Sequence, residues 1–162
     1  MRQTLVRRSV VTTLALGLAL ATAPGVAEAK PKPNTNAAVK VNLTVQGPDG
    51  LLFKGKVKTK GHDVTTATGG THKCDGTNGG ANPSKVPTPT AALDDAAHKK
   101  GFTWDGTWYA SFEDFSVDTI KNVSGGGSAY WSIAVNGTPT PVGGCQFKLN
   151  AGDQVSFTWT SF

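Results

Sequence analysis

The sequence of 162 residues predicts a small α+β domain in which one helix is set among several strands. Beyond residue 38, apolar and polar side chains alternate near both ends of the chain, a period of two that is typical of half-buried strands. One stretch between these ends carries helix start and stop signals together. The 20 glycines and 9 prolines indicate many turns, and the length is that of one domain.

The first 29 residues have the pattern of a secretory signal peptide. Three arginines within the first eight residues precede an apolar run over residues 10–23, which is too short to cross about 30 Å of hydrocarbon as a helix. The small residues Ala27 and Ala29 mark a cut after Ala29. We therefore predict an extracellular protein with no membrane span after cleavage; the alternative is a leader retained as a membrane anchor.

The basic charge of the chain is partly that of the leader. Cleavage removes all three arginines, and the formal net charge falls from +5 to +3, from 13 lysines and 10 acidic residues. Base readout and phosphate recognition rely on arginine forks that lysine does not reproduce, so we predict no nucleic-acid partner. The remaining charge is uneven: residues 30–60 carry seven lysines against Asp49, whereas residues 61–162 carry six lysines against nine acidic residues.

The first folded element is predicted to be a hairpin. Residues 30–38 are rich in Lys, Pro and Asn and are typical of a flexible tether, so the domain is placed at residues 39–162. Residues 39–45 alternate apolar and polar side chains, and the Gly-Pro-Asp-Gly sequence at 47–50 predicts a turn. Apolar residues of the returning strand alternate with lysines in residues 51–58.

Four lysines fall on the exposed side of this predicted hairpin: Lys40, Lys54, Lys56 and Lys58. A basic stripe of this kind suits an anionic polymer or a cell-wall component. The alternative is a solvated sheet face on which lysine discourages edge-to-edge pairing. The sequence leaves both interpretations open.

The middle of the chain is predicted to be a long loop followed by the one helix. Residues 61–88 are rich in Gly, Thr, Asn and Pro and include Cys74. Thr88 is then a suitable N-cap, Pro89 suits the first helical position, and Gly101 suits the C-terminal stop. Its apolar side chains are small and suit close packing on a sheet: Ala92, Leu93, Ala96 and Ala97.

The rest of the chain is predicted to be strands and turns rich in aromatic residues. Residues 104–108 (WDGTW) suggest a turn at Asp-Gly, and a strand runs from 115 to 120. The strand over residues 130–135 ends at Asn136-Gly137, a strong hairpin signal, so residues 142–149 are expected to return as its partner. The alternating residues 155–159 form the closing strand.

Two cysteines in an exported chain predict a disulfide between Cys74 and Cys145. In the chain-entropy model, a disulfide that closes a loop of this length stabilises the fold by about 4 kcal/mol. The bond would also tie the glycine-rich loop around Cys74 to the C-terminal part of the domain.

The sequence does not support catalysis, a metal or a cofactor. His62, His72 and His98 with Cys74 lack the spacing of a zinc site, and the DGTN sequence at 75–78 suits an Asx turn better than a calcium loop. Adjacent Glu113 and Asp114 would point to opposite faces of a strand and do not form a glycosidase pair. No nucleophile elbow or phosphate loop is present in the sequence.

A family resemblance follows from the C-terminal motifs. The sequence YWSIAVNG at 130–137, then GGCQ at 143–146 and LNAGDQVSFTW at 149–159, resembles the transcobalamin C-terminal-like domain. That family is a β-grasp-related group associated with soluble-ligand binding, and the two cysteine segments are similar to its secreted actinobacterial form. The resemblance implies a β-grasp-like domain over residues 39–162, with a mixed sheet, one helix packed across it and one disulfide.

The predicted function is that of a secreted, monomeric, non-catalytic binding module. Its candidate ligand-binding residues are the aromatic side chains of Trp104, Trp108, Tyr109 and Trp131. The candidate ligands are a small corrinoid-like or glycan molecule, an extracellular protein or a cell-wall component. The alternative is a structural or surface protein, or a protease inhibitor, that acts through a disulfide-held loop over residues 71–89.

Overall fold

The computed structural model describes residues 36–162. The predicted signal peptide at 1–29 lies outside the described residues, as does most of the predicted tether at 30–38. The described chain contains one α-helix and ten strands. They are β1 Val39–Gly47, β2 Gly50–Thr59, β3 His62–Thr66, β4 Gly70–Cys74, α1 Pro89–Lys100, β5 Trp104–Tyr109, β6 Asp114–Ile120, β7 Val123–Ser124, β8 Ala129–Val135, β9 Thr138–Pro139 and β10 Gln154–Ser161.

The main sheet has five strands in the order β2-β1-β10-β8-β9. Strand β1 pairs in parallel with β10, and all other neighbours in this sheet are antiparallel, so the predicted mixed sheet is confirmed. The hairpin between β8 and β9 turns at Asn136 and Gly137, whose φ angles of 53° and 81° both lie in the left-handed region. That conformation explains the Asn-Gly sequence.

Helix α1 packs on the inner face of this sheet. Thr88 Oγ1 accepts a hydrogen bond from the Ala91 N–H, and Gly101 ends the helix in the left-handed conformation, as predicted. Small side chains let the helix lie close to the strands. The core contains residues from α1 (Ala92, Leu93, Ala96), from the main sheet (Val41, Leu43, Val45, Val155, Phe157) and from β6 (Val117, Ile120).

The segment predicted as a long loop at 61–88 is instead partly strand, and that prediction is wrong. Strands β3 and β4 form a two-stranded sheet in which His62 pairs with Cys74 and Thr66 with Gly70. Their alternation is carried by Thr and His with few large apolar residues, so the sequence offers little strand signal. A short 3-10 turn follows at Asn78–Gly80.

Two further expectations are corrected in the aromatic part of the chain. Asp105-Gly106 is not a turn; it lies within β5, at an irregularity in the pairing with β6. Gly106 is needed there because a Cβ atom would collide with the carbonyl of Ser116. The predicted return strand at 142–149 is also absent, since β8 pairs with only the two residues of β9 on that side.

Residues 140–149 form an ordered loop in place of that strand. Pro141 interrupts strand geometry, and Gly143 and Gly144 allow close approach to neighbouring elements. The loop is held by backbone hydrogen bonds, from Leu149 N–H to the Pro87 carbonyl at 2.9 Å and from Thr90 N–H to the Gly144 carbonyl at 3.1 Å. It therefore packs on the start of α1.

The predicted disulfide between Cys74 and Cys145 is confirmed, with a Cα–Cα distance of 4.4 Å. It lies in a second small core with Val64, Ala91 and Phe115, all buried. The bond thus joins the β3–β4 sheet to the 140–149 loop. Within residues 36–162, no helix is long and apolar enough to cross a bilayer.

Candidate functional site

An open cleft of about 650 Å³ lies between β6 and β8 and is closed on one side by residues 140–146. Both strands present edges that are largely unpaired on this side. Strand β6 pairs with β7 only at Thr119 and Ile120, and β8 pairs with β9 only at Ala134 and Val135. The cleft is therefore the gap where the main sheet and the β5–β6–β7 sheet separate.

The cleft has an apolar floor and an aromatic rim. Val117, Trp131 and Ile133 line it from the two strands, with Trp131 only 5% exposed. Four large side chains at the rim are well exposed: Tyr109 at 48%, Phe112 at 68%, Tyr130 at 45% and Val142 at 40%. A cluster of exposed large apolar groups around one concavity is typical of a binding site.

A single carboxylate, that of Asp114, lies in the lining of the cleft. The residue is only 6% exposed. Burial raises the pKa of Asp114 to about 6, although the N–H groups of Cys145 and Phe115 donate to it and act in the opposite direction. The Cys145 N–H lies 3.0 Å from Oδ2, and the Phe115 N–H lies 2.8 Å from Oδ1. The carboxyl group is thereby fixed in orientation.

Gly143 and Gly144 bring the loop into contact with this carboxylate and with the helix. A Cβ atom at Gly143 would collide with the Asp114 carboxylate, and one at Gly144 would collide with the Thr90 hydroxyl. The Gly-Gly-Cys sequence is therefore a consequence of packing: two residues without side chains, followed by the cysteine that is cross-linked to Cys74.

Of the four aromatic residues predicted to bind ligand, two line the cleft and two lie elsewhere. Tyr109 and Trp131 line the cleft. Trp108 does not: its ring stacks on His72 with centroids 4.1 Å apart and meets Phe115 edge-on at 5.0 Å. Trp108 and Tyr109 are neighbours on β5, and Tyr109 is the exposed member of the pair.

Trp104 lines a separate cavity of about 430 Å³ beside the C-terminal end of α1. Its indole N–H donates to Asp94 Oδ1 at 3.0 Å, and the other oxygen of this buried carboxylate is 3.2 Å from His62 Nε2 and 3.3 Å from His98 Nδ1. The hydrogen bond with Asp94 raises the pKa of His62 to about 8, against the opposing effect of burial. No group of three or more metal-ligating side chains is arranged to hold an ion within residues 36–162.

Several residues of the cleft were not singled out in the sequence. Phe112 and Val142 belong to no motif, and Tyr130 was noted only as the first residue of the YWSIAVNG sequence; the exposure of all three depends on where β6 and β8 separate. Asp114 was considered only as a partner of Glu113. The two side chains do lie in different environments: the Glu113 carboxylate is partly exposed and lies 3.3 Å from Lys73 Nζ, whereas Asp114 is buried.

The segment over residues 71–89 is not a single protruding loop. It begins in β4, and its last residues, from Val86 to Pro89, are buried. Exposed residues lie in β4, at Thr71 and Lys73, and in the central part of the segment, where Asn82 donates to the carbonyls of Gly76 and Gln146. The Asx turn expected at residues 75–78 is present, since Asp75 Oδ1 accepts from the Thr77 N–H at 3.1 Å.

Comparison with known proteins supports the predicted resemblance in fold. Residues 93–161, less than half of the chain, match the family described as Domain of unknown function (DUF4430). Among solved structures, the chain is similar to haptocorrin in complex with Cbi, with a TM-score of 0.53 and 13% identity over 81% of this chain. The domain has a transcobalamin-like fold.

The transcobalamin-like fold accounts for only a part of its larger neighbour, because this chain spans 27% of the haptocorrin chain. No curated protein matches the sequence. The family match begins within α1 and ends in β10, so it contains every residue that lines the cleft between β6 and β8. Strands β1 to β4, with Cys74, precede the matched segment.

Proposed function

We propose that this protein is an exported, non-catalytic binding module whose cleft between β6 and β8 takes a small ligand with a broad apolar face. The observation that carries the proposal is the aromatic rim of a preformed cavity of about 650 Å³, a volume typical of small-molecule sites. Tyr109, Phe112 and Tyr130 hold large apolar surfaces in water at that rim. A ligand that covers them gains roughly 25 cal/mol for each Å² removed from water.

The polar group of the cleft limits the kind of ligand. Asp114 has a pKa of about 6, so above that pH it is a buried carboxylate that accepts hydrogen bonds. A ligand with an apolar face and a peripheral amide or hydroxyl donor matches both features. Corrinoid-like molecules and glycans have this character, and the similarity to haptocorrin in complex with Cbi favours the corrinoid-like class.

Export is part of the same proposal. The Cys74–Cys145 disulfide is typical of proteins that fold in an oxidising compartment. The predicted signal peptide, with a cut after Ala29, would deliver the domain there. A monomer with one cleft is the simplest functional unit consistent with these features.

The experiment is a tryptophan-fluorescence titration of the mature protein with cobalamin and with a panel of neutral oligosaccharides, checked by equilibrium dialysis. Trp131 lines the cleft and reports on its occupancy. We expect saturable quenching of the tryptophan fluorescence by one of these two classes of ligand, cobalamin or oligosaccharide. The double variant Tyr109→Ala/Tyr130→Ala should weaken binding at least tenfold because it removes two rim rings.

The matched control is Leu51→Ala, which truncates a side chain that is 57% exposed but lies at the β1–β2 turn, away from the cleft. It should bind like the unmodified protein. The proposal is wrong if neither panel gives saturable binding, or if the rim variant and the control bind equally well.

A further inference from the structure

The outer face of the main sheet, opposite α1, carries a row of lysines. The pairing of β1 with β2 places Lys40 directly opposite Lys58, Asn42 opposite Lys56 and Thr44 opposite Lys54, so all six side chains share one face. The four lysines are exposed. Alternate residues of a strand are about 7 Å apart, so the three lysines of β2 form a straight row about 13 Å long.

None of these four lysines has an acidic partner within the described residues, where the lysine ion pairs are Lys73 with Glu113 and Lys85 with Asp75. Asp153, near the start of β10, is occupied by hydrogen bonds from Asn136 and Asn150. Lys40 and Lys58 form a like-charge pair across two strands, an arrangement that costs stability. The row is therefore a concentrated positive charge without internal compensation.

Beside the lysines the same face is covered with hydroxyl groups. Thr44 is paired with Ser156 of β10, and Thr158 of β10 is paired with Ser132 of β8. All four side chains are partly exposed, and their hydroxyls form no hydrogen bond with another residue in the described part of the chain. The face thus presents a row of lysine ammonium groups along its outer strand, and next to this row a group of Ser and Thr hydroxyls that can donate and accept hydrogen bonds.

We propose that this face binds a linear acidic polysaccharide laid along the β1–β2 hairpin. Carboxylates of the polymer would meet Lys54, Lys56 and Lys58, and its sugar hydroxyls would bond to the Ser and Thr side chains. Base stacking, on which single-stranded nucleic acids depend, has no platform between these lysines, because their neighbours are Asn42 and Thr44. A bilayer surface would require apolar anchors among the lysines, which Asn42 and Thr44 do not provide.

The test uses polygalacturonate as the probe and the mature chain as the protein, by isothermal titration at several salt concentrations. We expect binding whose logarithmic affinity falls linearly with the logarithm of salt concentration. The variant Lys40→Gln/Lys54→Gln/Lys56→Gln/Lys58→Gln should lose at least tenfold in affinity and show a flatter salt dependence. The variant Thr44→Val/Ser156→Ala should weaken binding about threefold with the salt slope unchanged.

The control removes the same charge elsewhere: Lys73, Lys99, Lys100 and Lys148, all exposed, are changed to Gln. It should retain affinity within about twofold, which separates the lysine row from net charge. The proposal is overturned if polygalacturonate does not bind at low salt or if both lysine variants lose equally. It is also overturned if a single-stranded oligonucleotide or vesicles of anionic lipid bind as tightly as the polysaccharide.

Discussion

Asp114 is the residue in which the packing of the domain and the chemistry of the cleft meet. Its carboxylate accepts from the Cys145 N–H, so it orients the loop that carries the disulfide, and Gly143 is a glycine because the carboxylate occupies the adjacent space. Burial makes the ionised form costly and raises its pKa to about 6. The charge at the cleft therefore changes between mildly acidic and neutral pH.

This pKa predicts a pH dependence of stability. Between the ordinary pKa of 3.8 and about 6, the folded protein keeps a proton on Asp114 that the unfolded chain has lost. The contribution of Asp114 to the free energy of unfolding must then fall as the pH rises through this window, by up to about 3 kcal/mol for a shift of about two units. Above the folded pKa the contribution is constant.

Asp114→Asn retains the shape and one acceptor but does not titrate. We expect the difference in unfolding free energy between the native protein and this variant to fall from pH 4 to pH 6.5 and then level off, measured by urea denaturation at each pH. Glu113→Gln is the contrasting variant: the Gly79 N–H and Lys73 lower the pKa of Glu113, so the contribution of this residue should grow, and not fall, as the pH rises. A difference that stays flat across the window would show that Asp114 has an ordinary pKa.

At the scale of secondary-structure elements, the sequence correctly predicted those whose ends are determined by the residues at the ends themselves. Thr88, Pro89 and Gly101 determine the ends of α1 by their own backbone preferences, and Asn136-Gly137 determines its hairpin in the same way. Strands β3 and β4 were missed because their strand structure depends on pairing with each other and on the packing of Trp108 and Phe115 against His72. Such support comes from distant residues and leaves no periodic pattern.

The cleft was predictable only in part for a related reason. The sequence shows that aromatic residues are concentrated after residue 101, and Tyr109 and Trp131 were selected from them. Trp104 and Trp108 are directed elsewhere by particular partners, Asp94 and His72. The concavity itself arises where two sheets separate, which depends on the early ends of β7 and β9 and not on any one motif.

The start of α1 offers a test of how the helix is tied to the rest of the domain. The buried hydroxyl of Thr88 caps the helix and also donates to the Cys74 carbonyl at 3.1 Å. Thr88→Ala removes both contacts and should lower the free energy of unfolding by about 2 kcal/mol. Thr88→Ser keeps the hydroxyl and should recover most of that loss in urea denaturation. Equal losses in the two variants would assign the effect to the methyl group instead.

At the scale of the whole molecule, the domain presents two different surfaces. The cleft between β6 and β8 is aromatic, carries one carboxylate and lies wholly within the segment that matches the family. The lysine row lies on β1 and β2, at the other edge of the main sheet and before that segment. The lysine row and the cleft therefore lie in different parts of the domain, and of the nine acidic residues after residue 60 only Asp114 lines the cleft.

The disulfide should affect these two surfaces unequally. It closes a loop with a sequence separation of 71 residues, and in the chain-entropy model its removal costs about 4 kcal/mol of stability. The double variant Cys74→Ala/Cys145→Ala should therefore unfold at markedly lower urea concentration. Because the Cys145 N–H orients Asp114, loosening that loop should also let water reach the carboxylate and weaken binding in the cleft.

The hairpin of β1 and β2 makes no contact with the disulfide through the small core around Cys74, so polygalacturonate binding should be retained in the same variant at a temperature where it is folded. Circular dichroism fixes that temperature, and titration with both probes then compares the two surfaces on one sample. Equal loss of both activities in the folded variant would mean that the surfaces are coupled through the sheet. Loss confined to the cleft would establish that the disulfide maintains one site and leaves the other independent.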